Sequence, residues 1–113
     1  MNLEINQVNK GANQVIVYLS GEVDAYTAPN LREKILPLTE QAGAEVIIDL
    51  SGVNYIDSTG LGIFIGALKS SHTHNSKIKL KGLSSRVERL FKITGLDEVL
   101  DLDIDENRRE EAK

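Results

Sequence analysis

The chain has 113 residues, 41% of them apolar, and a formal charge of −4, which fits one globular domain with a core of its own. It contains no cysteine, so disulfides, thiolate catalysis and thiolate metal sites are excluded, and a reducing cytoplasm is the expected compartment. The acidic balance argues against a nucleic-acid surface, no apolar run reaches the length of a membrane span, and Met1-Asn2-Leu3-Glu4-Ile5 lacks the basic-then-apolar order of a signal peptide.

Leu3, Ile5 and Val8 stand among polar neighbours, which predicts a short strand with one buried face. Gly11-Ala12-Asn13 is a turn signal. Val15-Ile16-Val17-Tyr18-Leu19 is β-branched and nearly all apolar, so it predicts an interior strand that pairs with the first as a hairpin and ends at Gly21. Thr27-Ala28-Pro29 reads as a helix start, with Thr27 at the N-cap and Pro29 in the first turn, where its missing N–H costs nothing. Leu31, Ile35 and Leu38, backed by Leu36, form the apolar face of that helix. Pro37 predicts a bend or an early end, because it removes one backbone bond and crowds the previous turn.

Val46 to Leu50 predicts the next interior strand, and Leu61, Ile65 and Leu68 mark the core face of the helix after it. Asn75-Ser76 is a turn, and Lys77-Ile78-Lys79-Leu80 alternates like a strand with one wet face. Ser85-Arg86-Val87-Glu88 matches a capping box with Ser85 at the N-cap. Val87, Leu90 and Phe91 give that helix its apolar face, and Gly95 is a natural stop. A short edge strand is expected between Val99 and Ile104. Residues 105–113 form a charged tail, either a helical turn or two or a frayed end of a single domain spanning 1–113. The order β-β-α-β-α-β-α with a final strand defines an α/β chain, and it predicts an open, doubly wound, partly parallel sheet after an antiparallel hairpin.

Between Ile47 and Gly62 an apolar run meets the polar knot Asp57-Ser58-Thr59, and the knot opens a second apolar run. That pattern is a buried strand, a tight loop and a helix start. Two parallel strands joined by one helix release their following loops at the same end of the sheet, where open α/β sheets place their sites. The segment from Gly21 through Asp24 to Tyr26 is therefore expected beside Tyr55-Ile56-Asp57-Ser58-Thr59, with Asp24 and Asp57 flanking the Ser58 hydroxyl. Ser58 reads as the acceptor of a reversible phosphorylation, with Thr59 as the runner-up. Asp57 or Ser58 equally reads as a plain N-cap, and Asp24 as a cap or a turn residue. The readings are compatible, because a helix start also favours an anion. Gly60, Gly62 and Gly66 suggest either close packing or a bare face that a partner can approach.

No metal or cofactor is expected. His72 and His74 lack further ligands and read as solvated surface residues, and no glycine-rich phosphate loop is present. Ser58 has no base within the same motif, so an enzyme is not expected. Arg86, Arg89 and Lys92 read as the wet face of a helix.

Gly21-Glu22-Val23-Asp24, Thr27-Ala28-Pro29 with Leu31, Ile48-Asp49-Leu50-Ser51 and Asp57-Ser58-Thr59-Gly60-Leu61-Gly62 together resemble the STAS domain, and within it the bacterial anti-sigma factor antagonists. The run through Gly66 and the segment Arg89-Leu90-Phe91-Lys92-Ile93-Thr94-Gly95-Leu96 is most similar to the general-stress branch. The resemblance implies a mixed sheet of four to five strands with the main helices on one face. It implies that the anti-sigma factor is a serine kinase that phosphorylates Ser58. The unmodified antagonist binds that kinase and releases the sigma factor, the phosphorylated one does not, and a PP2C-type phosphatase restores the hydroxyl. Asp24, Tyr26, Tyr55, Asp57, Thr59, Gly60 and Gly62 are the expected partner-binding or phosphosite-neighbouring residues. No membrane or nucleic acid is expected as a partner, and the free chain is expected to be a monomer. Two competitors remain. One is a STAS scaffold within a larger signalling assembly or a transporter, the latter disfavoured because no fused segment is seen. The other is a receiver-like domain phosphorylated on Asp57, which the start of the chain does not support.

Overall fold

The computed structural model describes residues 2–104. The charged tail discussed above, 105–113, lies outside the described residues. Strands β1 (Leu3–Asn9) and β2 (Gln14–Val23) form an antiparallel hairpin. Helix α1 (Ala28–Thr39) leads to β3 (Glu45–Ile56), α2 (Ser58–His74) to β4 (Lys77–Leu83), and α3 (Ser85–Ile93) with a short 3-10 turn (Leu96–Glu98) to β5 (Asp101–Ile104). The five strands lie in the order β1-β2-β3-β4-β5, and every pair after the first is parallel.

That strand order overturns the doubly wound expectation. Each crossover steps to the next strand in the same direction, and right-handed crossovers taken in one direction leave their helices on one face. Val15 and Val17 of β2 align with Val46 and Ile48 of β3, and those with Ile78 and Leu80 of β4; all of them are buried, as is Leu19 at the register shift that follows. Leu31 and Ile35 of α1, Phe64 and Ala67 of α2, and Val87 and Phe91 of α3 close over them. The Phe64 and Phe91 rings meet at a centroid distance of 6.0 Å and an interplanar angle of 50°, a tilted geometry that aromatic pairs favour. The opposite face carries Tyr18, Ser20, Asp49, Lys79 and Lys81, all half-buried or exposed. Val8 belongs to that face as well, paired with Ile16, and is exposed, whereas Leu3 and Ile5 are half-buried against the core.

Both central strands outrun their predicted ends. Gly21 does not end β2; it sits within the strand at φ 120°, beside a register shift, where a Cβ would overlap the Asn2 carbonyl oxygen. Glycine inside a strand commonly marks a bulge or a close backbone approach. In β3, burial alternates through Val46, Ile48 and Leu50, then changes phase to Val53 and Ile56. A Cβ on Gly52 would lie 2.8 Å from the Leu19 carbonyl oxygen, so Ser51-Gly52 is a tight passage within β3, which runs past the predicted end at Leu50 to Ile56.

Helix α1 runs through Pro37 to Thr39. Pro37 lies in the last turn, so the backbone bond it removes is one of the helix's last, and α1 ends soon after it at Thr39. Thr39 then anchors the end, its hydroxyl donating to the Leu36 carbonyl at 2.8 Å and lying within hydrogen-bond distance of the Ser70 hydroxyl at 2.7 Å. In α2 the inward residues are Leu61, Phe64, Ala67 and Ser71, with Ile65 and Leu68 half-buried. The cap of α3 is Ser84, not Ser85, and it accepts the Val87 N–H at 3.2 Å. Glu88, displaced from its expected capping role, is buried and pairs with Lys92 at 3.2 Å. Among the described residues no helix is long and apolar enough to cross a membrane.

Candidate functional site

The site forms where β2 and β3 end together. Val23 pairs with Ile56 in parallel register, and the Asp57 N–H donates to the Val23 carbonyl at 3.1 Å. Both loops therefore leave the same end of the sheet, as the topology required.

Asp57 is the N-cap of α2. Its backbone is extended (φ −102°, ψ −176°), and Oδ1 accepts the Gly60 N–H at 2.9 Å. A helix leaves its first N–H groups without intrahelical partners, and Asp57 satisfies one of them. Ser58 follows as the first helical residue and is exposed, as are Thr59 and Gly62. Tyr55 stands at 49% exposure just before the knot, and Tyr26 at 85% on the neighbouring loop.

The first loop is held by a reciprocal cap. Asp24 Oδ1 accepts the N–H of Tyr26 at 2.9 Å and of Thr27 at 3.0 Å, while Thr27 Oγ1 accepts the Asp24 N–H at 2.9 Å and donates to the Glu22 carbonyl at 2.8 Å. This is capping-box geometry with aspartate and threonine in the two roles. Thr27 was the expected N-cap, but its backbone is already helical and its side chain makes no cap bond. Asp24 caps the turn that leads into α1. The signal was present in the Asp24-to-Thr27 spacing.

Asp24 is buried and caps its loop, which is the second of the two readings the sequence allowed for it. It is only 4% exposed, and Oδ2 is buried without a hydrogen-bond partner among the described residues. Asp24 thus shapes the loop that carries Tyr26. Asp24→Ala is expected to lower stability by about 1–2 kcal/mol, the usual cost of a lost cap, read as a shift in the urea midpoint. Asp24→Asn keeps an accepting oxygen and should lose clearly less; equal losses would show that the cap bonds are not what Asp24 contributes.

Gly60 is also buried rather than partner-facing. A Cβ there would lie 2.6 Å from Val23 Cγ1 and 2.7 Å from the Val23 oxygen. Gly62 and Gly66 have nothing within 4 Å of the same position. Close packing therefore accounts for Gly60 and for neither of the other two.

His72 is exposed, and His74 Nδ1 lies 2.8 Å from the Ser70 carbonyl oxygen, a local helix contact. No cluster of three or more His, Asp or Glu side chains that could hold a metal occurs among the described residues.

A mixed sheet with three crossover helices on one face, and a capped helix presenting a hydroxyl at the end of its central strands, defines a small α/β domain of the STAS type. The chain belongs to the STAS domain family, whose sequence model matches residues 4–111. It is 46% identical over 102 residues to the anti-sigma-B factor antagonist of Bacillus subtilis, covering 90% of this chain and 92% of that protein. It is 41% identical over 102 residues to the protein of the same name from Listeria monocytogenes, covering 90% of each. The solved structure of the anti-sigma factor antagonist SpoIIAA in its unphosphorylated form superposes with a TM-score of 0.76 at 22% identity, covering 96% of this chain and 92% of that one.

Proposed function

We propose that this chain is an anti-sigma factor antagonist switched by phosphorylation of Ser58. In its unmodified state it binds an anti-sigma factor that is also a serine kinase, and the sigma factor is released. The kinase step forms a bond from Ser58 Oγ to the γ-phosphorus of ATP, breaks the bond to ADP and removes the hydroxyl proton. A PP2C-type phosphatase reverses the change by directing water at phosphorus, which returns the hydroxyl and liberates inorganic phosphate.

The observation that carries this reading is the exposed Ser58 hydroxyl, at the first position of a helix whose cap is already provided by Asp57. Because Ser58 is not needed as the cap, its oxygen is available to an enzyme without loss of structure. A phosphate there brings roughly −1.5 to −2 charges at neutral pH. The α2 N-terminus tolerates an anion, so the fold persists. A partner that must cover the same surface meets an uncompensated charge beside the Asp57 carboxylate, and covering unpaired charge is costly. Tyr26, Tyr55, Thr59 and Gly62 are exposed on the two loops and the first turn of α2, and in this reading they supply the contact surface, with the bare backbone at Gly62 and Gly66 allowing close approach.

Asp57 is a poor acceptor by comparison, since its carboxylate is half-buried and holds the Gly60 amide. Incubation with the anti-sigma factor and ATP, followed by mass mapping, is expected to place one acid-stable phosphate on Ser58. Phosphate on Thr59, or an acid-labile phosphate on Asp57, would contradict the assignment.

A further inference from the structure

The exposed knot around Ser58 is small. Specific protein complexes bury about 800 Å² on each side, from roughly 20–30 residues, and five exposed residues at the knot cannot supply that alone. The surface has to continue, and one continuation is built for it. Residues at the end of β3 and the outer side of α3 enclose a cavity of about 250 Å³. Ile56, Val87 and Leu90 line it as an apolar floor, and Tyr55, Arg86 and Arg89 line its rim. Ile56 and Val87 are buried, whereas both arginines are exposed and neither forms an ion pair with a described residue. Arg86, Arg89, Leu90 and Ile93 fall at the i, i+3, i+4 and i+7 spacing of one helix stripe. Ile93 closes that stripe at 74% exposure.

We propose that this groove is the second half of the docking surface, and that it takes an apolar side chain of the anti-sigma factor flanked by acidic residues. The inference rests on the proposed function above and assigns a further part of its binding site. Tyr55 belongs to both regions, so the two are continuous. A guanidinium pairs with a carboxylate through parallel hydrogen bonds, and arginine and tyrosine around an apolar floor make up the composition of interface hot spots. Two guanidiniums without an ion-pair partner among the described residues, on a chain of net charge −4, select an acidic occupant. The groove lies on α3, outside the knot that receives the phosphate. It therefore holds both forms of the chain alike and contributes affinity, while Ser58 decides whether the complex can close.

The test compares Arg86→Glu/Arg89→Glu, Ile93→Ser and Ser58→Asp for binding to the purified anti-sigma factor of the same organism, by calorimetry. All of these residues are exposed, so each variant is expected to keep the native thermal unfolding curve. The double charge reversal is expected to weaken binding by at least about tenfold and to reduce its salt dependence, and Ile93→Ser to weaken it several-fold. If Ser58→Asp weakens binding while both groove variants bind like the parent, the groove assignment is wrong and the switch stands. If Ser58→Asp binds like the parent, the underlying reading is wrong. If the groove variants change only self-association in sedimentation, a second copy of this chain occupies the groove and the proposal is overturned.

Discussion

Ser58→Asp is expected to bind the anti-sigma factor about 100-fold more weakly than the parent, with stability to urea unchanged or raised by up to about 1 kcal/mol. The first effect follows from leaving a charge unpaired beneath a covering partner, a loss of about 2–5 kcal/mol in comparable interfaces. The second follows from position. Ser58 is exposed at the first turn of α2, where a carboxylate interacts favourably with the helix dipole by about 0.3–1 kcal/mol. Ser58→Ala removes the acceptor without adding charge, and it should bind constitutively. The pair separates charge from side-chain loss. Equal binding by both variants would remove Ser58 from the switch, and unfolding of the aspartate variant would show that the helix start has no room for an anion.

Gly60→Ala is expected to destabilise the chain by about 1–3 kcal/mol, the range for overpacking a filled site, although alanine gains about 1 kcal/mol of helix propensity over glycine. The added carbon would press on Val23 Cγ1 and on the Val23 carbonyl. That carbonyl accepts the Asp57 N–H at 3.1 Å, so it cannot retreat without parting the two loops. Damage at Gly60 thus reaches both halves of the site at once. Gly62→Ala is the control, with nothing within 4 Å of the new carbon. It should be stabilised by up to about 1 kcal/mol and yet bind its partner less well, because the methyl group stands on the covered face. Urea titration together with a binding isotherm distinguishes the two. A Gly60→Ala chain as stable as the parent would mean that the contact between β2 and α2 is looser than described.

How much of this was legible beforehand depended on the kind of signal. The element order was readable because apolar periodicity switches cleanly between strand and helix at Val15–Leu19, Val46–Leu50 and Lys77–Leu80. The lengths of β2 and β3 were not, since Gly21 and Ser51-Gly52 carry the residue types of turns while lying inside paired strands, beside register shifts that put an extra residue on β3. The α3 cap slipped by one residue because Ser84 and Ser85 are adjacent serines, and only the extended backbone of Ser84 (φ −70°, ψ 165°) decides between them. Placing the helices on one face required knowing the direction of each crossover, which local patterns do not encode.

The site divides along the same line. The exposed hydroxyl at a helix start could be read from Asp57-Ser58-Thr59, because capping chemistry is local. The meeting of the two loops could be argued from parallel pairing. The depth of Asp24 and Gly60 could not, since burial is set by what the rest of the chain packs over them. Likewise Arg86 and Arg89, read as a wet helix face, proved to border an apolar cavity formed with β3. That contact joins residues about thirty positions apart in sequence and leaves no local trace.

Affinity for the anti-sigma factor, measured on one preparation before and after stoichiometric phosphorylation, tests the central claim most directly. Attaching phosphate at Ser58 is expected to lower affinity by about 100-fold or more, with full recovery once a phosphatase has removed it. Indistinguishable affinities for the two forms, on chains with matching unfolding curves, would contradict the account.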